Sequence, residues 1–127
     1  MSAAPRTRID HRLEEVRRFL HTALDHPELL ETLPEEVYVP TEVDVASLFA
    51  PERLALLYRI GRSTNTVGEL AHSLHRKVPS VSRDLRLLES HGLIRFRTEG
   101  RRKYPELLRH FVVLPLHSRR AQATVVA

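Results

Sequence analysis

The side chains that could do chemistry in this chain are cations and hydroxyls gathered between residues 76 and 103. They are Arg76, Lys77, Ser80, Ser82, Arg83, Arg86, Arg97, Arg101, Arg102 and Lys103. A guanidinium can donate in bidentate fashion to guanine O6 and N7, and a serine hydroxyl can donate to a base edge or to a phosphate. An ammonium meets phosphate as a point charge. These residue types at this density suit recognition of a polyanion such as duplex nucleic acid.

Competing chemistries find little support. The sequence has no Cys, which excludes disulfides and thiolate metal sites. It has no G-x-S-x-G elbow, no P-loop and no G-x-G-x-x-G. Ser63 after Gly61-Arg62 stands outside any such motif, and the Glu35-Glu36 pair lies in a Pro-bounded segment and reads as solvated. His72 and His75, three apart, could share a ligand, but zinc needs three or four donors and no further one is placed to join them. His11, His21, His26, His91, His110 and His117 are scattered without ligand spacing. No enzyme activity, metal or cofactor is expected. With no Trp and 6% aromatic residues, an aromatic platform for stacking single strands is not expected either.

The charge is unevenly distributed. Residues 1–58 hold 6 Lys and Arg against 11 Asp and Glu, a balance of −5, and residues 59–103 hold 11 against 4, a balance of +7. The net +4 therefore hides a basic segment that coincides with the Arg and Ser set. Such a segment steers a polyanion to itself. No apolar run approaches the roughly 18 residues of a membrane span, and the opening MSAAPRTRID has no apolar signal core. A cytoplasmic location without membrane association is expected.

The elements that must position these side chains can be read from periodicity. Ile9, Leu13, Val16, Leu20 and Leu24 recur at helical spacing, after a disordered arm over residues 1–8. Pro27 opens a short helix through Leu33. Glu36 to Val39 is a short strand, and Thr41 with Asp44 resembles a capping box for a brief helix through Leu48. Pro51 starts a helix whose apolar side is Leu54, Leu57, Tyr58 and Ile60, with Gly61 as its stop. Thr66 and Glu69 form a second capping box, opening a helix with Val67, Leu70, Ala71 and Leu74.

His75 to Val78 is then a turn, and a further helix runs from Val78 or Pro79 to Ser90, closed by Gly92. Val81, Leu85 and Leu88 fall on its inner face. Ser80, Ser82, Arg83 and Arg86 are left outside, and Asp84 is expected to orient an arginine. Leu93 to Arg97 alternates as a strand, Thr98 to Arg101 is a hairpin turn, and Arg102 to Tyr104 returns. Ile94 and Phe96 point inward, Arg95 and Arg97 outward. Phe111 to Leu114 is a last strand, and residues 115–127 read as a flexible tail.

Leu70-Ala71, the run Val81 to Glu89 and Gly92-Leu93-Ile94 together resemble the MarR/ArsR-like winged-helix regulators. The stretches Phe49 to Leu54 and Arg101 to Pro105 look closest to the small uncharacterised MarR-like predicted regulators of archaea and bacteria. The resemblance covers about residues 36–114. It implies an α+β winged helix-turn-helix over residues 49–114, here with an N-terminal helical and strand extension over residues 9–48 and a C-terminal strand.

It further implies a homodimer that binds double-stranded DNA at a palindromic operator and acts as a repressor. The helix at about 78–90 would enter the major groove, and a basic wing over 93–105 would lie on flanking DNA. Lys77 departs from the branch, which often has an N-capping Asp or Ser there. The alternative is a protein-interaction winged helix, such as an antitoxin that binds a partner protein, since fold does not fix function.

Overall fold

The computed structural model describes residues 8–114 and 116. They belong to two compact units, one of Met1–Pro34 with Pro115–Ala127 and one of Glu35–Leu114. The expected arm over 1–8 and tail over 115–127 lie outside the described residues, apart from Arg8 and Leu116.

The first unit contains helix α1, Arg8–Asp25, followed by a 3-10 helix, Pro27–Thr32. Among the described side chains of α1, Val16 and Ala23 are buried and Leu13 and Leu20 half-buried. Leu24, expected on the apolar stripe, is 61% exposed. The buried side runs through Ala23 instead, seven residues on from Val16, or close to two helical turns.

The second unit is built outward from an aliphatic core. Strand β1 (Val37–Tyr38) is followed by α2 (Glu42–Leu48), α3 (Pro51–Arg62), α4 (Val67–Ser73) and α5 (Val78–Ser90). A hairpin of β2 (Ile94–Glu99) and β3 (Arg102–Leu107) comes next, and β4 (Phe111–Val112) ends the unit. Leu48, Leu56, Leu70, Val81, Leu85 and Leu88 are fully buried, and Leu93 and Ile94 close the cluster from the hairpin side. Each Leu removed from water contributes about 1.5–3 kcal/mol. On α3 the core residues are Leu56 and Ile60, whereas Tyr58, expected on the apolar side, is 63% exposed.

Local signals account for most helix ends. Thr66 Oγ1 accepts from the Glu69 N–H at 3.2 Å, and the Glu69 carboxylate accepts from the Thr66 N–H at 2.8 Å, which makes the expected capping box complete. On α2 one arm of such a box forms, Thr41 Oγ1 accepting from the Asp44 N–H at 3.2 Å. Helix α5 ends as a Schellman motif. The Gly92 N–H reaches Glu89 O at 2.9 Å, the Leu93 N–H reaches Leu88 O at 3.0 Å, and Gly92 takes φ 73°.

Helix α4 closes by the same two bonds, from the His75 N–H to His72 O at 3.2 Å and from the Arg76 N–H to Ala71 O at 2.9 Å. There the left-handed position is filled by His75, at φ 53°.

Gly61 does not stop α3, which continues to Arg62. A Cβ on Gly61 would lie 3.1 Å from Leu107 Cδ1, so the glycine serves the close approach of β3.

The hairpin turn sits one residue later than expected. Glu99 pairs with Arg102, leaving Gly100 and Arg101 as the two central residues. Gly100 takes φ 61° and Arg101 does not have a positive φ, the pattern of a type II′ turn. Pro105 lies opposite Phe96 and is buried, and the return strand extends to Leu107 rather than ending at Tyr104.

Strands β1 and β4 pair in parallel, Val37 with Phe111 and Tyr38 with Val112. The Arg109 guanidinium donates to the Glu35 carbonyl beside them. The chain is thus an α+β winged helix-turn-helix: α3, α4 and α5 form the helical part, and β2–β3 the wing.

Candidate nucleic-acid interface

Helix α5 follows the α4 turn after only four residues, 74–77, and starts at Val78 with Pro79 in its first turn, where a missing N–H costs little. Lys77 occupies the N-cap position and makes no side-chain cap. The burial of Val81, Leu85 and Leu88 fixes the rotation of the helix about its axis. That rotation turns Arg83 and Arg86 to solvent and leaves Ser80 and Ser82 half-buried. Among the described residues, neither Arg83 nor Arg86 has an ion pair.

Arg76 is placed differently. Its Nη2 donates to Asp84 Oδ2 at 2.7 Å, and Arg53 Nε on α3 lies 3.4 Å from Asp84 Oδ1. All three side chains are three-quarters or more buried, with relative exposures of 21% for Arg76, 24% for Arg53 and 15% for Asp84. Asp84 orients an arginine, as expected, and in fact joins two. Arg53 was missing from the sequence reading because nothing in the local pattern of α3 sets it apart from a solvated charge.

On the wing, Arg95, Arg97 and Glu99 share one face with Arg102, Tyr104 and Glu106, since cross-strand partners point the same way. One carboxylate dominates this face. Glu106 Oε1 accepts from Arg97 Nε at 2.7 Å, and Glu106 Oε2 accepts from Arg95 Nε at 3.3 Å. Arg97 Nη1 also lies 3.0 Å from Glu99 Oε2, and its guanidinium carbon is 4.8 Å from the Tyr104 ring centroid.

The hydrogen bond from Arg97, with that from Arg95 behind it, holds the Glu106 carboxyl below the ordinary carboxylate range. The hydrogen bonds to Glu99 and then Glu106 push the Arg97 guanidinium further up. Glu106 also escaped the sequence reading. A turn centred on Glu99-Gly100 would have set Arg97 opposite Arg102. Assigning Gly100 to the first central position of a type II′ turn would have placed Arg95 opposite Glu106.

At the wing tip Arg101, Arg102 and Lys103 are exposed and have no ion pair among the described residues. They form one wall of an open groove whose other wall is the first turn of α4, Thr66 to Glu69. The charge of Arg102 reaches Glu69. The Glu69 carboxyl is held low first by its bond to the Thr66 backbone, then by the Thr66 hydroxyl, and to a smaller extent by Arg102. No helix among the described residues is long and apolar enough to cross a membrane.

The structure therefore separates the ten expected residues into two kinds. Arg76 and Arg97 are engaged by carboxylates of the same chain. Lys77, Arg83, Arg86, Arg101, Arg102 and Lys103 are cations turned to solvent, and the hydroxyl-bearing Ser80 and Ser82 are half-buried on α5.

The family model described as HVO_A0114 matches residues 48–109, which span α3 to the end of the wing. No curated protein matches the chain. Among solved structures it is similar to reduced HlyU from Vibrio cholerae N16961, at 23% identity over 66% of this chain and 79% of that one, with a TM-score of 0.48. It is similar to the homodimeric winged helix-turn-helix DNA-binding domain Mb0332 from Mycobacterium bovis, at 19% identity over 84% and 76%, TM-score 0.46. NolR from Sinorhizobium fredii is similar at 16% identity over 98% and 91%, TM-score 0.45.

Proposed function

We propose that this protein is a sequence-specific, double-stranded DNA-binding transcriptional regulator of the MarR/ArsR-like kind. It acts as a homodimer and a repressor in the cytoplasm, with no metal, cofactor or catalytic step. The observation that carries the reading is the contrast on α5 and the wing. Arg76, Arg95 and Arg97 are matched by carboxylates of the same chain, while Arg83 and Arg86 are exposed without a carboxylate, on a helix whose opposite face is buried.

In this reading α5 lies in the major groove. Arg83 and Arg86 address base edges, and Ser80 and Ser82 donate to bases or phosphates. Lys77 and the wing tip, Arg101, Arg102 and Lys103, hold the phosphate backbone and fix register. Arg76 acts from behind, steadying the turn through Asp84. A two-fold dimer would place two such helices about one DNA turn apart.

The test is binding of the purified protein to its own upstream promoter DNA, against a scrambled duplex, across a salt series. Tight, sequence-preferring binding with a steep salt slope supports the reading. Weak and equal binding to both duplexes overturns it in favour of the protein-interaction alternative, in which a partner such as a toxin is bound. Footprinting of the preferred duplex then gives the half-site spacing.

A further inference from the structure

The wing carries two arginines that the DNA reading does not use. Arg95 and Arg97 lie on its solvent face, at side-chain exposures of 66% and 38%, and would ordinarily count among its phosphate contacts. Both point a guanidinium Nε at the same carboxylate, that of Glu106, directly across the strand pair from Arg95. A carboxylate and a phosphate present a guanidinium with the same kind of oxygen acceptor, so the two compete for it. Arg97 is further held by Glu99 and by the Tyr104 ring, so leaving its site would cost three contacts.

Non-specific affinity for duplex DNA scales with the number of phosphates that free cations neutralise. A regulator must keep that term small relative to its sequence-specific contacts, because non-cognate sites vastly outnumber cognate ones.

Resting on the regulator reading above, we propose that Glu106 is a specificity-determining residue: it keeps Arg95 and Arg97 off the DNA backbone and so limits the wing's grip on non-cognate duplex to the tip cations. The carboxylate is an internal substitute for phosphate. The wing engages DNA through Arg101, Arg102 and Lys103, and the arginines nearer its base are withheld.

Salt titrations of the full chain on a scrambled duplex test this, using wild type, Glu106→Gln, Arg95→Gln/Arg97→Gln, and all three changes combined. Wild type and the double arginine variant are expected to show the same salt slope. Glu106→Gln is expected to bind several-fold more tightly at low salt. Its slope should steepen by about one to two units, at about 0.9 per phosphate contact. That gain is expected to vanish in the triple variant.

A flatter slope for the arginine double variant would overturn the proposal, because the arginines would already be on phosphate. So would a Glu106→Gln gain that survives without Arg95 and Arg97, which would reduce the effect to simple charge repulsion. An unchanged slope for Glu106→Gln would overturn it as well. Should Glu106→Gln fail to fold, arginine Nε NMR signals of the wild type decide. Signals of Arg95 and Arg97 stay in place on addition of scrambled duplex if the proposal holds, and movement of those signals overturns it. If neither wild type nor Glu106→Gln binds either duplex, the regulator reading itself has failed and this proposal falls with it, a result distinct from all the others.

Discussion

Asp84, at the middle of α5, accepts a hydrogen bond from Arg76 at 2.7 Å and lies 3.4 Å from Arg53, so one carboxylate ties the outer helix to the turn before it and to α3. The site is largely shielded from water, and this gives the pairing more weight than an exposed ion pair would have. Asp84→Asn leaves two guanidiniums facing each other without an anion. It is expected to lower stability by about 1–3 kcal/mol, measured by urea unfolding. A loss within experimental error would show that Asp84 is not a brace.

The capping box makes α4 sensitive to acid. Glu69 has a folded-state carboxyl held below its ordinary range by the Thr66 bonds. Its contribution is therefore fully present above the ordinary carboxylate range and is lost as pH falls through the lower, folded value. Glu69→Gln is expected to flatten the acid limb of the stability profile: it is less stable than wild type at neutral pH, where the ionised carboxylate contributes, and the two converge once Glu69 is protonated. Thr66→Ala should cost about 0.5–2 kcal/mol at neutral pH by removing the cap. Thermal melts from pH 7 downward check both, and an acid limb of unchanged steepness in Glu69→Gln would rule out the linkage.

His75 occupies a left-handed position, φ 53°, that Gly92 fills at the end of α5. A β-carbon in that conformation costs about 1–2 kcal/mol. The side chain is exposed, so His75→Gly removes little packing. The variant is expected to gain about 1 kcal/mol in stability, read from denaturant midpoints. A loss of stability would mean that the imidazole contributes more than the strain it imposes.

Base and phosphate contacts separate by their response to sequence and salt. Arg83→Ala is expected to lose about 1–3 kcal/mol on the preferred duplex and to relax sequence preference. Equal affinity of mutant and wild type for that duplex would remove Arg83 from base contact. Lys103→Ala is expected to weaken every sequence alike and to lower the salt slope by about one unit. An unchanged slope would take Lys103 off the phosphate backbone.

The succession of elements and the inner face of α5 were legible in the sequence, whereas Leu24 on α1 and Tyr58 on α3 turned out to face water. Val81, Leu85 and Leu88 repeat at helical spacing, and the Thr66–Glu69 pair and Gly92 mark ends through bonds made within a few residues. Such signals are local, so they survive in a one-dimensional reading. Which partner each charge meets depends on contacts between distant segments.

Arg53, Arg76 and Asp84 converge from three places in the chain, and Glu106 meets Arg95 and Arg97 only once the hairpin register is set. A turn moved by one residue changes each cross-strand partner by two. Gly61 shows the same limit: it looks like a helix stop, and its role depends on Leu107, a residue 46 positions away that packs 3.1 Å from where a Cβ would stand. An arginine's type announces that it can hold an anion. Which anion it holds depends on distances between residues remote in sequence, and only the folded chain brings those residues together.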